Sequence, residues 1–280
     1  MQRLPCDTGG ASQIQLAAAQ RRRLEAMHEH NSQHLKSLRT LSVRNRTGLY
    51  LIEGIRHVAR ALEEQAPIQS LFISPAHLTN PFGQKLARKL GKSGVPVMQL
   101  APNVYRDLTL AAEPQGIGAV VRQRWCELPP IARGLYLAVE SIDSPGNLGT
   151  IIRTAEATGV SAIIVAGNAA DPHDPATVRA SMGSLFSQRL IRASVSELTD
   201  WARTSEVAMI GSSPSGLLDY KSFRTRRPAA LLIGSERQGL STELLEACDL
   251  TVRIPMLGRG DSINAAVAAG VLLYELMHGR

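Results

Sequence analysis

The stretch LYLAVESIDSPGNLGTIIRTAEATGVSAIIVA, residues 135–166, decides the fold of this chain. It begins with the apolar run Leu135 to Glu140 and ends with Ala162 to Ala166, and both runs have the length and aliphatic content of buried strands. A glycine-containing turn and a helical segment join them, as in a parallel strand-helix-strand unit. Further strands are expected at 189–192, 207–211, 229–234 and 250–254. This alternation predicts an α/β domain with a mainly parallel sheet and helices on both sides.

A smaller α/β unit is predicted upstream of that domain. Its strands are expected at 49–52, 68–74, 95–99 and 117–121, and its helices at 55–62 and 84–90. Pro129 and Pro130 cannot continue regular structure and mark a linker. We therefore expect a mobile N-terminal arm (1–32), a small α/β domain (33–125), a linker (126–131) and a large α/β domain (132–280).

The charge of the chain is concentrated in the small domain. The whole chain of 280 residues has 31 Lys and Arg against 24 Asp and Glu, a net charge of +7. Residues 31–124 contain 13 of the basic and 5 of the acidic residues, an excess of eight, so the rest of the chain sums to −1. A basic domain favours a polyanionic partner such as nucleic acid, although a charge run is usually a solvated face. The basic side chains considered are Arg39, Arg44, Arg46, Arg56, Arg60, Lys85, Arg88, Lys89 and Lys92.

Several classes of protein are disfavoured by composition. The apolar run 265–277 is interrupted by Tyr274 and Glu275 and falls short of the ~20 residues of a membrane span. The N-terminus lacks the order of a secretory signal, so we expect a cytoplasmic protein without a membrane partner. The 3 cysteines are far apart in the sequence, and no motif predicts a metal site.

Three glycine-containing loops follow strands of the large domain, where ligands of open α/β sheets usually bind. Each loop could be a simple turn with a helix cap, and Asp261 or Ser262 could cap the C-terminal helix. The loops contain the patterns Asn-x₅-Arg-x₂-Glu, Gly-x-Glu-x-x-Gly, and Ile-Pro-Met followed by Ser-x-Asn. The residues of these patterns are Asn147, Arg153 and Glu156; Gly234, Glu236 and Gly239; Ile254, Pro255 and Met256; and Ser262, Ile263 and Asn264.

In this order the patterns resemble the three signature motifs of the SpoU/TrmH family of RNA 2′-O-methyltransferases. Leu51-Ile52-Glu53-Gly54 and Pro114-Gln115-Gly116-Ile117 resemble the small substrate-binding domain of many members. The resemblance covers roughly residues 35 to 280. It implies a SPOUT fold, in which the C-terminal segment forms a trefoil knot that holds S-adenosylmethionine, and it implies a homodimer with the C-terminal helix in the interface.

The resemblance also implies roles for individual residues. It places the cofactor against Gly234, Gly239, Ile254, Met256 and Ile263. It makes Arg153 the catalytic arginine, either as proton acceptor or as a clamp on the adjacent phosphate. The residues that would order Arg153 and the target ribose are Asn147, Glu236, Ser262 and Asn264.

The chain departs from the family pattern at two places. Ser144 stands where the family often has Asp before the proline of the first motif, and the third motif reads Ser-Ile-Asn-Ala-Ala where Ser-Leu-Asn-Val-Ser is commoner. The leading hypothesis is ribose 2′-O-methylation of ribosomal RNA, because the small domain resembles that of members acting on this RNA. The alternatives are a tRNA ribose methyltransferase, a non-catalytic RNA-binding protein on the same scaffold, and a Rossmann-like nucleotide enzyme.

Overall fold

The computed structural model describes residues 32–167, 171–224 and 228–278. The predicted N-terminal arm therefore lies outside the described residues, apart from Ser32. Within the described ranges, no helix is both long and apolar enough to cross a membrane.

The small domain is built on a mixed sheet with the strand order β1-β4-β2-β3. Strand β4 runs antiparallel to β1 and β2, whereas β3 runs parallel to β2. The elements in chain order are α1 (Leu41–Thr47), β1 (Leu49–Glu53), α2 (Ile55–Glu63), β2 (Ile68–Ile73), α3 (Pro81–Lys92), β3 (Val97–Gln99), α4 (Pro102–Leu108) and β4 (Ile117–Arg122). The predicted strands and helices of this domain are confirmed, with shifted ends, whereas α1 and α4 were not predicted.

The large domain is built on a parallel sheet with the strand order β7-β6-β5-β10-β8-β11-β9. Short 3₁₀ turns lie at Ser184–Phe186 and Tyr220–Ser222. The elements in chain order are β5 (Leu135–Glu140), α5 (Pro145–Ala157), β6 (Ala162–Ala166), α6 (Pro175–Ala180), β7 (Leu190–Ala193), α7 (Val195–Thr204), β8 (Ala208–Ser212), β9 (Leu218–Asp219), β10 (Ala229–Ile233), α8 (Thr242–Ala247), β11 (Leu250–Arg253) and α9 (Ala265–His278). The predicted parallel α/β sheet is confirmed.

Strand β5 is buried on both faces, as its continuous apolar sequence predicts. Leu137 and Val139 pack into one hydrophobic cluster, whereas Tyr136 and Ala138 pack into a second cluster across the sheet. Successive side chains of a strand point to opposite faces, so helices must cover both faces of this sheet. The helix after β5 begins at Pro145, and the Ser144 hydroxyl caps it by accepting the Asn147 N–H at 3.3 Å.

The predicted linker is held against the large domain. The Cys126 N–H donates to the Leu190 carbonyl at 2.7 Å, and Cys126 forms a parallel bridge with Ile191 at the edge of the large sheet. The Trp201 Nε1–H donates to the Pro129 carbonyl at 2.7 Å. These contacts fix the path of the chain between the domains.

Ion pairs and ring contacts join the two domains directly. Arg44 of α1 is 2% exposed and pairs with Asp171 at 2.6 Å and Asp174 at 3.2 Å, both in the segment that leads into α6. Tyr50 of β1 packs on His173, with ring centroids 4.6 Å apart. A buried guanidinium between two carboxylates is costly to separate, so these contacts fix one domain relative to the other.

The interface corrects part of the expectation for the basic side chains. Arg44 is buried in the ion pairs just described, and Arg60 pairs with Glu64 at 3.1 Å and with Glu156 of α5 at 3.3 Å. The sequence could not distinguish these arginines from exposed ones, because their partners in the large domain are far away along the chain. Asp171 lies 127 residues from Arg44, and Glu156 lies 96 residues from Arg60. Arg44 and Arg60 hold the domains together and are not part of an exposed basic face.

Candidate active site

A cavity of about 350 Å³ lies in the large domain beyond the carboxyl ends of β8, β10 and β11. This is the position at which open parallel sheets usually bind ligands. Ile233, Leu240 and Val252 form part of its apolar wall, and all three side chains are buried. The lining includes seven residues that the resemblance assigned to the site, namely Gly234, Glu236, Gly239, Ile254, Met256, Ser262 and Ile263.

The loop between Gly234 and Gly239 is closed by its own main chain. The Ser235 N–H donates to the Gly239 carbonyl at 3.0 Å, and the Gly239 N–H donates back to the Ser235 carbonyl at 3.0 Å. Gly239 has φ +70°, which favours glycine. A Cβ at Gly234 would collide with the main chain of Gly239 and Leu240. The second motif therefore needs its first glycine for close packing and its second for backbone conformation.

Three polar side chains from the three motifs meet at the edge of this cavity. The Asn147 Nδ2–H donates to Glu236 Oε1 at 2.6 Å, and the Asn264 Nδ2–H donates to Asn147 Oδ1 at 3.0 Å. The second carboxylate oxygen of Glu236 accepts the Asp143 N–H at 3.1 Å. The network joins α5, the loop after β10 and the start of α9, so it sets the relative position of all three motifs.

Asn264 is also the N-cap of α9. Its Oδ1 accepts the main-chain N–H of Ala266 at 2.9 Å and that of Val267 at 3.3 Å. The cap considered at Asp261 or Ser262 is therefore made by Asn264, because α9 begins at Ala265. One side chain thus caps the C-terminal helix through its oxygen and reaches Asn147 through its nitrogen.

Glu236 is held in its ionised form. Burial alone would raise the pKa of Glu236, but hydrogen bonds from the Asn147 side chain and from the main-chain N–H groups of Glu236, Asp143 and Ser144 outweigh it. The net effect lowers the pKa of Glu236 below the ordinary value of a glutamate. The carboxylate therefore serves as an acceptor for these donors at neutral pH.

This direction of the shift predicts how the stability of the protein depends on pH. Because folding lowers the pKa of Glu236, its stabilisation is full above the unfolded pKa and is lost as the pH falls through the folded pKa. We expect Glu236→Gln to lower the melting temperature most near neutral pH, and the gap to wild type to shrink in the acid range. Melting curves of both proteins test this, and a gap that widens on acidification contradicts it.

Arg153 lies apart from the network of Asn147, Glu236 and Asn264. It is exposed on α5 and does not line the cavity, and its side chain makes no hydrogen bond or ion pair with the described part of the chain. Glu156, one turn further along α5, accepts hydrogen bonds from the hydroxyls of Ser184 and Ser187, both at 2.9 Å. The first motif is thus divided between the cavity edge at Asn147, an exposed arginine, and the domain interface at Glu156.

The motif patterns missed the loop after β8. Ser212 at the end of β8 and Ser213 and Pro214 after it line the same cavity as Ser262 and Ile263. Strand β8 was predicted, and the rule that ligands bind at carboxyl ends of parallel strands could have indicated these residues. Over the described ranges, no group of three or more His, Cys, Asp or Glu side chains could hold a metal ion.

Comparison with known proteins gives a family match for each of the two domains. The model of the SpoU rRNA methylase family matches residues 134–274, and the model of the MRM3-like substrate binding domain matches residues 32–119. The 23S rRNA (uridine(2479)-2′-O)-methyltransferase of Streptomyces viridochromogenes is 36% identical over 247 residues, which cover 85% of each chain. The 23S rRNA (guanosine(2553)-2′-O)-methyltransferase RlmP of Bacillus subtilis is 28% identical, covering 91% of this chain and 99% of its own.

A solved structure shows the same architecture. The SpoU methyltransferase AviRb from Streptomyces viridochromogenes, in complex with the cofactor AdoMet, superposes with a TM-score of 0.80 at 34% identity. The match covers 89% of this chain and 97% of AviRb. The similarity therefore extends over both domains described above.

Proposed function

Because the chain belongs to the SpoU rRNA methylase family, we propose that it transfers a methyl group from S-adenosylmethionine to a ribose 2′-hydroxyl of ribosomal RNA. It is an RNA ribose 2′-O-methyltransferase. The observation that supports this most strongly is the network of Glu236, Asn147 and Asn264, which joins the three motifs beside the cavity. The names of the two relatives favour 23S rRNA over tRNA as the substrate.

The cavity fits S-adenosylmethionine in size and chemistry. Its volume of about 350 Å³ lies within the ordinary range of small-molecule sites. Gly234 lets the loop fold back against Gly239 and Leu240, which brings main-chain groups to the cavity, and Ile254 and Ile263 add apolar contacts for a planar base. We propose that Gly234, Gly239, Ile254, Met256 and Ile263 hold the cofactor.

When bound, the cofactor supplies an electrophilic methyl group on a positively charged sulfur. The protein must then hold the 2′-oxygen in line with that methyl group, which is worth about 7–11 kcal/mol in well-oriented cases. The oxygen–carbon bond forms as the sulfur–carbon bond breaks, and the hydroxyl proton leaves. We propose that Glu236, Asn147, Asn264 and Ser262 form the polar wall against which the ribose is ordered.

Arg153 is proposed to clamp the phosphate beside the target ribose. A guanidinium stays protonated in proteins, so the hydroxyl proton passes to that phosphate or to water. A planar cation with several donors is suited to a phosphate that must be held in one orientation. Arg153 thus holds the phosphate in position, and the phosphate or a water molecule accepts the proton.

The position of Arg153 supports a homodimer in which it serves the cavity of a second copy. It lies beside Thr154, where α5 approaches α9 closely at Gly270, and the apolar helix α9 exposes 54% of Val267 and 46% of Tyr274. Pairing through α5 and α9 would cover this surface and bring Arg153 to a partner.

We further propose a C-terminal trefoil knot, which is supported by the position of β10 between β5 and β8. We also propose a cytoplasmic location, which is supported by the ribosomal substrate.

Transfer of labelled methyl groups tests the proposed function. The purified protein is incubated with methyl-labelled S-adenosylmethionine and with deproteinised ribosomal RNA or tRNA, and the RNA is hydrolysed in alkali. A 2′-O-methyl group blocks alkaline cleavage, so we expect label in alkali-stable dinucleotides from the large ribosomal RNA. Label in mononucleotides, or only in tRNA, would contradict the proposal.

Asn264 allows capping of α9 to be separated from its contact with Asn147. In Asn264→Asp the carboxylate still accepts the N–H groups of Ala266 and Val267, but the donor to Asn147 is lost. We expect near wild-type melting and a loss of methyl transfer of about tenfold or more, since the Asn147 carbonyl oxygen loses its donor and then faces a carboxylate oxygen. Asn264→Ala should lose the same activity and in addition about 1 kcal/mol of stability. Equal activity of Asn264→Asp and wild type would contradict the role of the contact.

A further inference from the structure

A second cavity, of about 270 Å³, lies where the small domain meets the large one. We refer to it as the seam cavity. Its walls are formed by the end of β1, the start of α2, residues 108–115, and α6 with the turn that follows it. It shares no lining residue with the cavity at β8, β10 and β11. The seam cavity is therefore separate from the proposed methyl-transfer site.

The polar lining of the seam cavity is basic. Arg39, Arg56 and Arg179 line it with exposed side chains, against the single lining carboxylate of Glu53. That carboxylate is occupied by the Thr109 hydroxyl and by the Leu110 N–H at 3.0 Å. The excess of positive charge favours an anionic ligand.

The three arginines are not neutralised by ion pairs with the described residues. Arg39 donates to the main-chain carbonyl of Asp107 at 3.3 Å, and Arg179 donates to that of Leu110. The Arg56 side chain makes neither a hydrogen bond nor an ion pair with any residue in the described ranges. Each guanidinium thus keeps donors for a phosphate.

The inner wall of the seam cavity is apolar. Leu51, Phe72 and Leu108 are buried side chains of this wall, and Met182 is 37% exposed at it. His57 also lines the cavity, but its Nε2 is enclosed by protein, and the main-chain carbonyls of Val178 and Arg179 lie near its ring. An apolar wall that includes an aromatic ring, beside a group of cations, suits a nucleobase and its phosphate.

Helix α6 connects the seam cavity to the catalytic helix α5. A Cβ at Gly149 of α5 would lie 2.5 Å from the Cβ of Ala180 and 2.6 Å from the Thr177 carbonyl oxygen, so the two helices touch at their backbones. Helices in contact have axes about 8–10 Å apart. Arg179, next to Ala180, is therefore one helix layer from the helix that carries Asn147 and Arg153.

We propose that the seam cavity binds one unpaired nucleotide of the RNA substrate, with the base on the Phe72 wall and the phosphate on Arg56 and Arg179. This inference rests on the proposed function, because it takes RNA as the substrate. Proteins that recognise RNA by sequence usually bind unpaired bases that are turned out of the helix. Since both domains form the cavity and their interface is fixed by Arg44, the bound nucleotide sets the register of the RNA relative to Arg153.

The KM of ribosomal RNA distinguishes this role from a structural one. Ala111→Phe narrows the seam cavity without changing charge, and Arg56→Gln removes one of its cations from an exposed position. We expect each change to raise the KM for ribosomal RNA about tenfold, while kcat at saturating RNA and S-adenosylmethionine affinity stay near wild type. The matched controls are Ala112→Phe, beside the cavity but not lining it, and Lys89→Gln on α3, which should leave KM unchanged.

Crosslinking provides a readout that does not depend on catalysis. Ribosomal RNA transcribed with 4-thiouridine should crosslink to peptides containing residues 108–115 or Met182 in the wild type, and Ala111→Phe should lose this crosslink. Crosslinking without methyl transfer would overturn the proposed function and keep the seam cavity as an RNA site. An active wild type whose KM is unchanged in both Ala111→Phe and Arg56→Gln would overturn the inference.

Discussion

We expect Arg153→Ala to lower the rate of methyl transfer by about 10²- to 10³-fold, the usual loss when a charge-stabilising donor is removed from a reacting centre. The affinity for S-adenosylmethionine should stay near wild type, because the proposed role of Arg153 is to hold the RNA phosphate and not the cofactor. Single-turnover transfer and calorimetry with the cofactor measure the two quantities separately.

Arg153→Lys refines this test. Lysine keeps the positive charge but loses the planar fork that holds a phosphate in one orientation, so we expect it to restore only part of the activity. Arg203→Ala is a suitable control, because Arg203 is exposed and, among the residues that the structure describes, its side chain pairs only with Asp200, one turn earlier on α7. Full activity of Arg153→Ala would remove this residue from the mechanism.

Gly234→Ala should have the largest effect on cofactor binding. The added Cβ would meet the main chain of Gly239 and Leu240, which cannot move aside as a flexible side chain could. Overpacking of this kind costs about 1–3 kcal/mol. A cost at the upper end of this range, taken from the free energy of cofactor binding, lowers the affinity about a hundredfold. We therefore expect calorimetry to detect little or no binding of S-adenosylmethionine.

Gly146→Ala provides the matched control for this glycine. A Cβ there has ordinary contact, with Ser144 Oγ at 3.7 Å, and the position lies in the first turn of α5. Alanine is also a better helix former than glycine, so affinity and stability should be at least those of wild type. If Gly234→Ala binds the cofactor as tightly as Gly146→Ala, the loop is not the cofactor cradle that we propose.

The sheet of the large domain could be predicted because its strands are continuous aliphatic runs. The run Leu135 to Glu140 has that character, and the structure buries its side chains on both faces. Short helices such as α6 have only 6 residues and too little apolar periodicity to stand out. The ends of strands moved by one or two residues, because hydrogen bonding between strands sets them and the chain pattern does not.

The site was predictable from motifs only in part. Gly234, Glu236 and Ile263 line the cavity as their motif positions suggested, and Asn147 and Asn264 meet at its edge. The double role of Asn264 could not be predicted, because a cap depends on where the helix begins. The burial of Arg44 could not be predicted either, because its partners Asp171 and Asp174 lie 127 and 130 residues away along the chain.

The most direct test of the central claim is a map of ribose 2′-O-methylation in 23S ribosomal RNA from cells with and without the gene for this protein. We predict that one methylated ribose is lost when the gene is deleted, that the wild-type gene restores it, and that the gene encoding Arg153→Ala does not. An unchanged methylation map after deletion would contradict the account.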